Sequence, residues 1–169
     1  APLAGISGGT ALAIQGLWAG EWLRDVARLT QNDATNMLLI LNISLLIGMI
    51  ITGFIPNILK RFKVSQIDIF LFITLILLLG HSLLTFEIMP VSPIPWILLG
   101  ISANGAILAY SWLNTQFPIS YAGKVSTALN LSLFLCGFIL QYAIGWIISL
   151  WDRNTDNTYP AISLSLIHI

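Results

Sequence analysis

The chain has 169 residues, 57% of them hydrophobic and only 8% charged, with seven basic and seven acidic side chains that cancel. Soluble domains carry about 25% charged residues, so this composition cannot clothe a water-facing surface, and its neutrality offers nucleic acid no electrostatic footprint. A mean hydropathy of +0.89, with long apolar runs parted by short polar clusters, predicts an all-α, polytopic transmembrane helix bundle with the lipid bilayer as its main partner.

Five spans are predicted, at about 3–20, 36–58, 67–86, 94–115 and 125–151. The first is rich in glycine. Gly5 and Gly9, and again Gly16 and Gly20, stand four apart, the spacing that lets two helix backbones approach closely. Segment 21–35 mixes both charge signs, and Asp33 or Thr35 is placed to cap the second span. Ser65 followed by Asp68 is a capping-box pattern opening the third span. Pro95 suits the first turn of the fourth, where its missing N–H costs nothing. Phe117-Pro118 ends that helix, because the residue before a proline is pushed out of the α region.

The loop at 59–66 collects Lys60, Arg61 and Lys63. Basic loops near membrane ends tend to stay in the cytoplasm. With five spans, 59–66 and 116–124 share a face carrying four basic residues (Lys60, Arg61, Lys63, Lys124), against three (Arg24, Arg28, Arg153) opposite. The cluster therefore places the 59–66 loop inside. Trp18, Trp22, Trp96, Trp146 and Trp151 then fall near the outer face, as interfacial anchors would. Residues 152–169 read as an extracytoplasmic loop and the truncated or aberrant start of a last helix. The "APLAGISGG" opening without methionine and the ending "YPAISLSLIHI" read together as a fragment.

Polar residues inside the spans are the candidate functional groups, since polar groups in lipid are costly. On the fifth span Ser126, Asn130, Gly137, Gln141 and Gly145 follow at steps of four, seven, four and four, which places them on one face. That face turns toward protein, as helix packing, or toward a water-filled cavity. The fourth span carries Gly100, Asn104 and Ser111 on one face, with Tyr110 and Asn114 beside it. His81 is the one ionisable group well inside a span, and a histidine can serve as a proton relay. So near the end of the third span, it reads rather as an interfacial or hydrogen-bonded histidine. Two isolated histidines and Cys136 make no metal site. Without a nucleophile–base pair or a phosphate loop, the sequence gives no enzyme and no cofactor.

Three stretches carry a resemblance. Gly53 and Arg61 match the loop signature Gly-x-x-x-Asp-Arg-x-Gly-Arg, with Asn57 where Asp is usual, Ile58 where Arg is usual and Lys60 for the second glycine. "QGLWAGEWLRDV" (15–26) and "FPISYAGKVSTALNLSLFLCGFILQYAIGWII" (117–148) resemble the seventh and eleventh helices of bacterial transporters of the major facilitator superfamily. In the second stretch Ala122-Gly123-Lys124, Thr127-Ala128-Leu129-Asn130, Gly137, Gln141 and Gly145 stand at the spacings of that family. Glu21 departs from it, since proline is common in that slot.

The resemblance implies a partial fold of that type, helices seven to eleven, forming the carboxyl-terminal half of a secondary-active transporter in a bacterial cytoplasmic (inner) membrane. It implies alternating access against an amino-terminal half around a small-molecule site. It makes Gln15, Trp18, Asn104, Tyr110, Asn130 and Gln141 substrate-cavity candidates, and Gly53, Asn57 and Arg61 the conformational loop. No Asp or Glu lies mid-span, so a proton carrier would lie in the other half. The alternative is a non-transporting membrane subunit or scaffold that docks on partner helices through its glycine faces.

Overall fold

The computed structural model describes residues 2–152, and every regular element among them is helical. The chain opens with α1 (Pro2–Ala13), passes through a π-helical turn (Ile14–Trp18) and continues as α2 (Ala19–Asp25). α3 (Gln31–Leu59) runs for 29 residues, about 44 Å of helix, and closes in a 3-10 turn (Lys60–Phe62). α4 (Gln66–Thr85) follows. α5 (Pro93–Ser102), a 3-10 turn (Ala103–Gly105) and α6 (Ala106–Thr115) form one interrupted rod. A last 3-10 turn (Ile119–Tyr121) leads into α7 (Ala122–Ile148). The tail expected beyond 152 lies outside the described residues.

Four stretches are long and apolar enough to cross a membrane: Gln31–Phe62, Gln66–Thr85, Pro93–Thr115 and Ile119–Ile148. The expected first span, 3–20, is helical throughout, but the π turn splits it into α-helices of 12 and 7 residues. The three elements nevertheless run on without a break from Pro2 to Asp25, as α5, its 3-10 turn and α6 do from Pro93 to Thr115.

Local chemistry sets the helix starts. Neither Asp33 nor Thr35 caps α3. Thr30 does, its Oγ1 accepting from the Asp33 N–H at 3.2 Å, so the helix begins at Gln31 rather than at 36. The polar residues 31–36 hide this start, because the apolar pattern begins only at Met37. Ser65 and Asp68 do form the reciprocal box: Ser65 Oγ accepts from Asp68 N at 3.2 Å, and Asp68 Oδ2 accepts from Ser65 N at 3.1 Å. Ser65→Ala is expected to cost about 1 kcal/mol, read as a lower unfolding midpoint in detergent. An unchanged midpoint would mean that packing alone holds the start of α4. Ser92 caps α5, and Pro95 lies in its first turn.

Glycines set how the helices meet. α1 lies on α7, α2 on α3, α3 on α5, and α4 on α5 and α6. A Cβ on Gly9 would fall 2.7 Å from the Gly137 nitrogen, and one on Gly5 would fall 3.2 Å from Ser132 Cβ. The Gly5/Gly9 pair therefore makes a close helix contact. The Gly16/Gly20 pair does not. A Cβ on Gly16 meets nothing within 4 Å, and one on Gly20 meets only Leu38 at 3.8 Å. Gly16 belongs to the π turn, where the four-residue face spacing is lost.

Two apolar clusters bind the bundle. One joins Trp22, Leu23, Leu84, Trp96, Leu99 and Ile148; the other joins Ile69, Phe70, Ile73, Leu108 and Leu129. Trp22 and Trp96 are both 0% exposed, with ring centroids 5.7 Å apart, so these two are core residues and not interfacial anchors. Trp146, 60% exposed, does lie on the outside.

Candidate functional site

A cavity of about 320 Å³ lies among α1, α3 and the α5–α6 rod. Its polar lining is Gln15 from the π turn, Asn42 from α3, Asn104 from the 3-10 turn and Tyr110 from α6; none of the lining residues carries a formal charge. The remaining wall is apolar or glycine, including Leu41, Leu45, Ile107 and Leu133. Leu12, Gly16, Asn42 and Ile107 are exposed, so the cavity opens to one side of the bundle.

Both interruptions inside long helical rods fall at this cavity. Gln15 and Gly16 belong to the π turn, while Ala103 and Asn104 belong to the 3-10 turn between α5 and α6. The second interruption has local causes. Ser102 Oγ donates back to the Leu98 carbonyl at 2.6 Å, a bond that bends helices. Gly105 brings weak helix propensity and admits Ile73 of α4, whose Cγ2 lies 2.8 Å from where a Cβ would stand. Irregular backbone at membrane depth is tolerated where protein buries it or where it lines a water-filled cavity.

Side-chain amides tie these turns to their neighbours. Asn104 Nδ2 donates to the Leu45 carbonyl of α3 at 3.0 Å, and Gln15 Nε2 donates to the Leu99 carbonyl of α5 at 3.4 Å. The Tyr110 hydroxyl donates to Asn130 Oδ1 of α7. Asn42 Nδ2 donates within its own helix to the Leu38 carbonyl at 2.7 Å.

Of the six cavity candidates, Gln15, Asn104 and Tyr110 come together here. Asn130 reaches the site only through Tyr110, and Trp18 and Gln141 are half-buried but do not line it. The stripe on α7 is chiefly a packing face. Gly137 meets Gly9, Asn130 meets Tyr110, Ser126 Oγ accepts from Asn114 Nδ2 at 3.2 Å, and Gly145 lies near Trp18. Gly53, Asn57 and Arg61 sit apart, exposed toward the far end of α3 and in the turn after it, and a Cβ on Gly53 would meet nothing within 4 Å. His81 is buried in α4, away from the cavity.

Asn42 is the site residue that sequence reasoning missed. Its signal was present, a lone carboxamide in the apolar run "LLILNISLL" (38–46), and the cost of polar groups in lipid applies to it as to Asn104. Comparison with family models, curated proteins and solved structures finds no match for this chain.

Proposed function

We propose that this chain is the carboxyl-terminal half-bundle of a major facilitator superfamily transporter, working by alternating access in a bacterial cytoplasmic membrane. The observation that carries the reading is that both mid-rod interruptions line the same cavity and set carboxamides in its largely apolar wall, as expected of discontinuous helices at a transport site. The resemblance of 15–26 and 117–148 to family helices supports it independently. An amino-terminal bundle would supply the facing wall on the open side. With carboxamides and a phenol but no charge in the lining, this wall suits an uncharged, hydrogen-bonding small molecule. The rival scaffold reading needs free glycine faces; Gly5, Gly9, Gly48 and Gly100 are occupied within the chain, which leaves it Gly16, Gly20, Gly53 and Gly123.

Cysteine accessibility tests both cavity and orientation, starting from Cys136→Ser. In membranes, a water-soluble thiol reagent should label Asn104→Cys and leave Leu75→Cys, on the exposed face of α4, untouched. In whole cells, an impermeant reagent added outside should not label Lys63→Cys, because the basic loop lies in the cytoplasm. An inert position 104 would sink the transport cavity. Labelling of position 63 from outside would invert the topology.

A further inference from the structure

α3 and α4 each pack on α5, and an apolar groove of about 250 Å³ opens between them. Ile101 and Ser102 form its floor, while Ile55 and Leu59 of α3 face Phe72 and Ile76 of α4. One polar group on the wall is unsatisfied. Thr52 is 2% exposed and its hydroxyl has no hydrogen-bond partner. One turn further on, Pro56 has no N–H to give the Thr52 carbonyl. The wall thus carries one unpaired hydroxyl, about 12 Å along α3 from Lys60.

The mouth of the groove is basic. Leu59 and Val64 both line it, and between them in the chain stand Lys60, Arg61 and Lys63, all exposed and none ion-paired among the described residues. Lys63 adopts the left-handed conformation (φ 58) that turns the chain from α3 toward α4. The carboxylate at the mouth, Asp68, is taken up by the Ser65 amide at 3.1 Å and the Ser65 hydroxyl at 2.7 Å. With Asp68 counted against Lys60, Arg61 and Lys63, the charge there is still net positive.

An apolar slot with cations at its mouth matches a ligand with an alkyl chain and an anionic head. We propose that the α3–α4 groove binds one anionic phospholipid of the leaflet facing the 60–63 turn. One acyl chain lies along Ile55, Phe72 and Ile76, and the headgroup phosphate meets Lys60, Arg61 and Lys63. The groove lies further along α3 than the cavity, toward the 60–63 turn, and does not depend on the transport reading.

Native mass spectrometry of the full chain in detergent tests this with phosphatidylglycerol against phosphatidylcholine of identical acyl chains. A basic side chain at a membrane surface is worth about fivefold in binding to anionic lipid, so phosphatidylglycerol should be retained at least about tenfold better. Lys60→Gln, Arg61→Gln and Lys63→Gln together should bring the two lipids level. Ile55→Trp, which fills the slot, should lose bound phosphatidylglycerol although all three cations remain. If that variant does not fold, Val64→Trp at the exposed mouth takes its place. Equal retention of the two lipids by the parent chain overturns the site. So does a surviving preference in the triple variant, or undiminished binding in the filled groove.

Discussion

Gly48→Ala is expected to unfold the bundle, and Gly48→Leu to abolish recovery of folded protein. A Cβ at Gly48 would lie 2.6 Å from Ile101 Cα and 2.7 Å from its carbonyl carbon. The same contact is closed from the other side, where a Cβ on Gly100 would fall 2.6 Å from both the Leu41 oxygen and Ser44 Cβ. Overpacking costs ~1–3 kcal/mol when side chains can shift. Here the obstacle is backbone, so α3 and α5 must part, and the loss should exceed ~3 kcal/mol. Gly53→Ala is the control: it faces open space in the same helix and should gain up to ~1 kcal/mol of helix propensity. Thermal unfolding in detergent reads both. A Gly48→Ala midpoint equal to the parent's would show that the two helices separate at little cost.

On the transport reading proposed above, Asn104→Leu in the full-length protein should cut uptake by about 10- to 100-fold, the worth of one hydrogen bond in a recognition site. The carboxamide lies in the cavity wall and also holds the 3-10 turn against α3 through the Leu45 carbonyl. Losing that tie alone should lower stability by only about 1 kcal/mol, with normal membrane insertion and yield. Uptake in vesicles, measured beside yield and thermal midpoint, separates the two roles. Full-rate transport from a protein of reduced stability would make Asn104 a packing residue and remove it from the site.

The long apolar helices and the cap of α4 were legible because hydropathy and capping act over a few neighbouring residues. The cap of α3 was misplaced by the polar stretch that opens it. Ser65 with Asp68 needed nothing beyond its own turn. Gln15, Asn104 and Tyr110 were legible for a different reason, since each is a polar group in an apolar run and must find a partner. That argument cannot separate a cavity from a helix contact. Asn130 and Gln141 satisfied it equally well and lie outside the cavity. Tryptophan near a span end is ambiguous in the same way. Trp22 and Trp96 bury against each other, while Trp146 faces outward, and only the neighbouring helix decides which. The π turn left no local mark, because its residues "IQGLW" (14–18) would suit an ordinary α-helix.

That turn makes α1 and α2 two bearings on one shaft, set out of phase. Each residue of an α-helix advances the shaft by about 100°, so an unbroken rod would carry the Gly5 and Gly9 face onward in a fixed spiral. A π turn absorbs one extra residue, and everything beyond it lags by about 100°. α1 therefore meshes with α7, while α2 meshes with α3 and delivers Trp22 and Leu23 to the core. Expelling the extra residue would swing α2 by about a quarter turn relative to α1 without unwinding either piece. Gln15 and Gly16, at the cavity wall, sit on the pivot of that rotation.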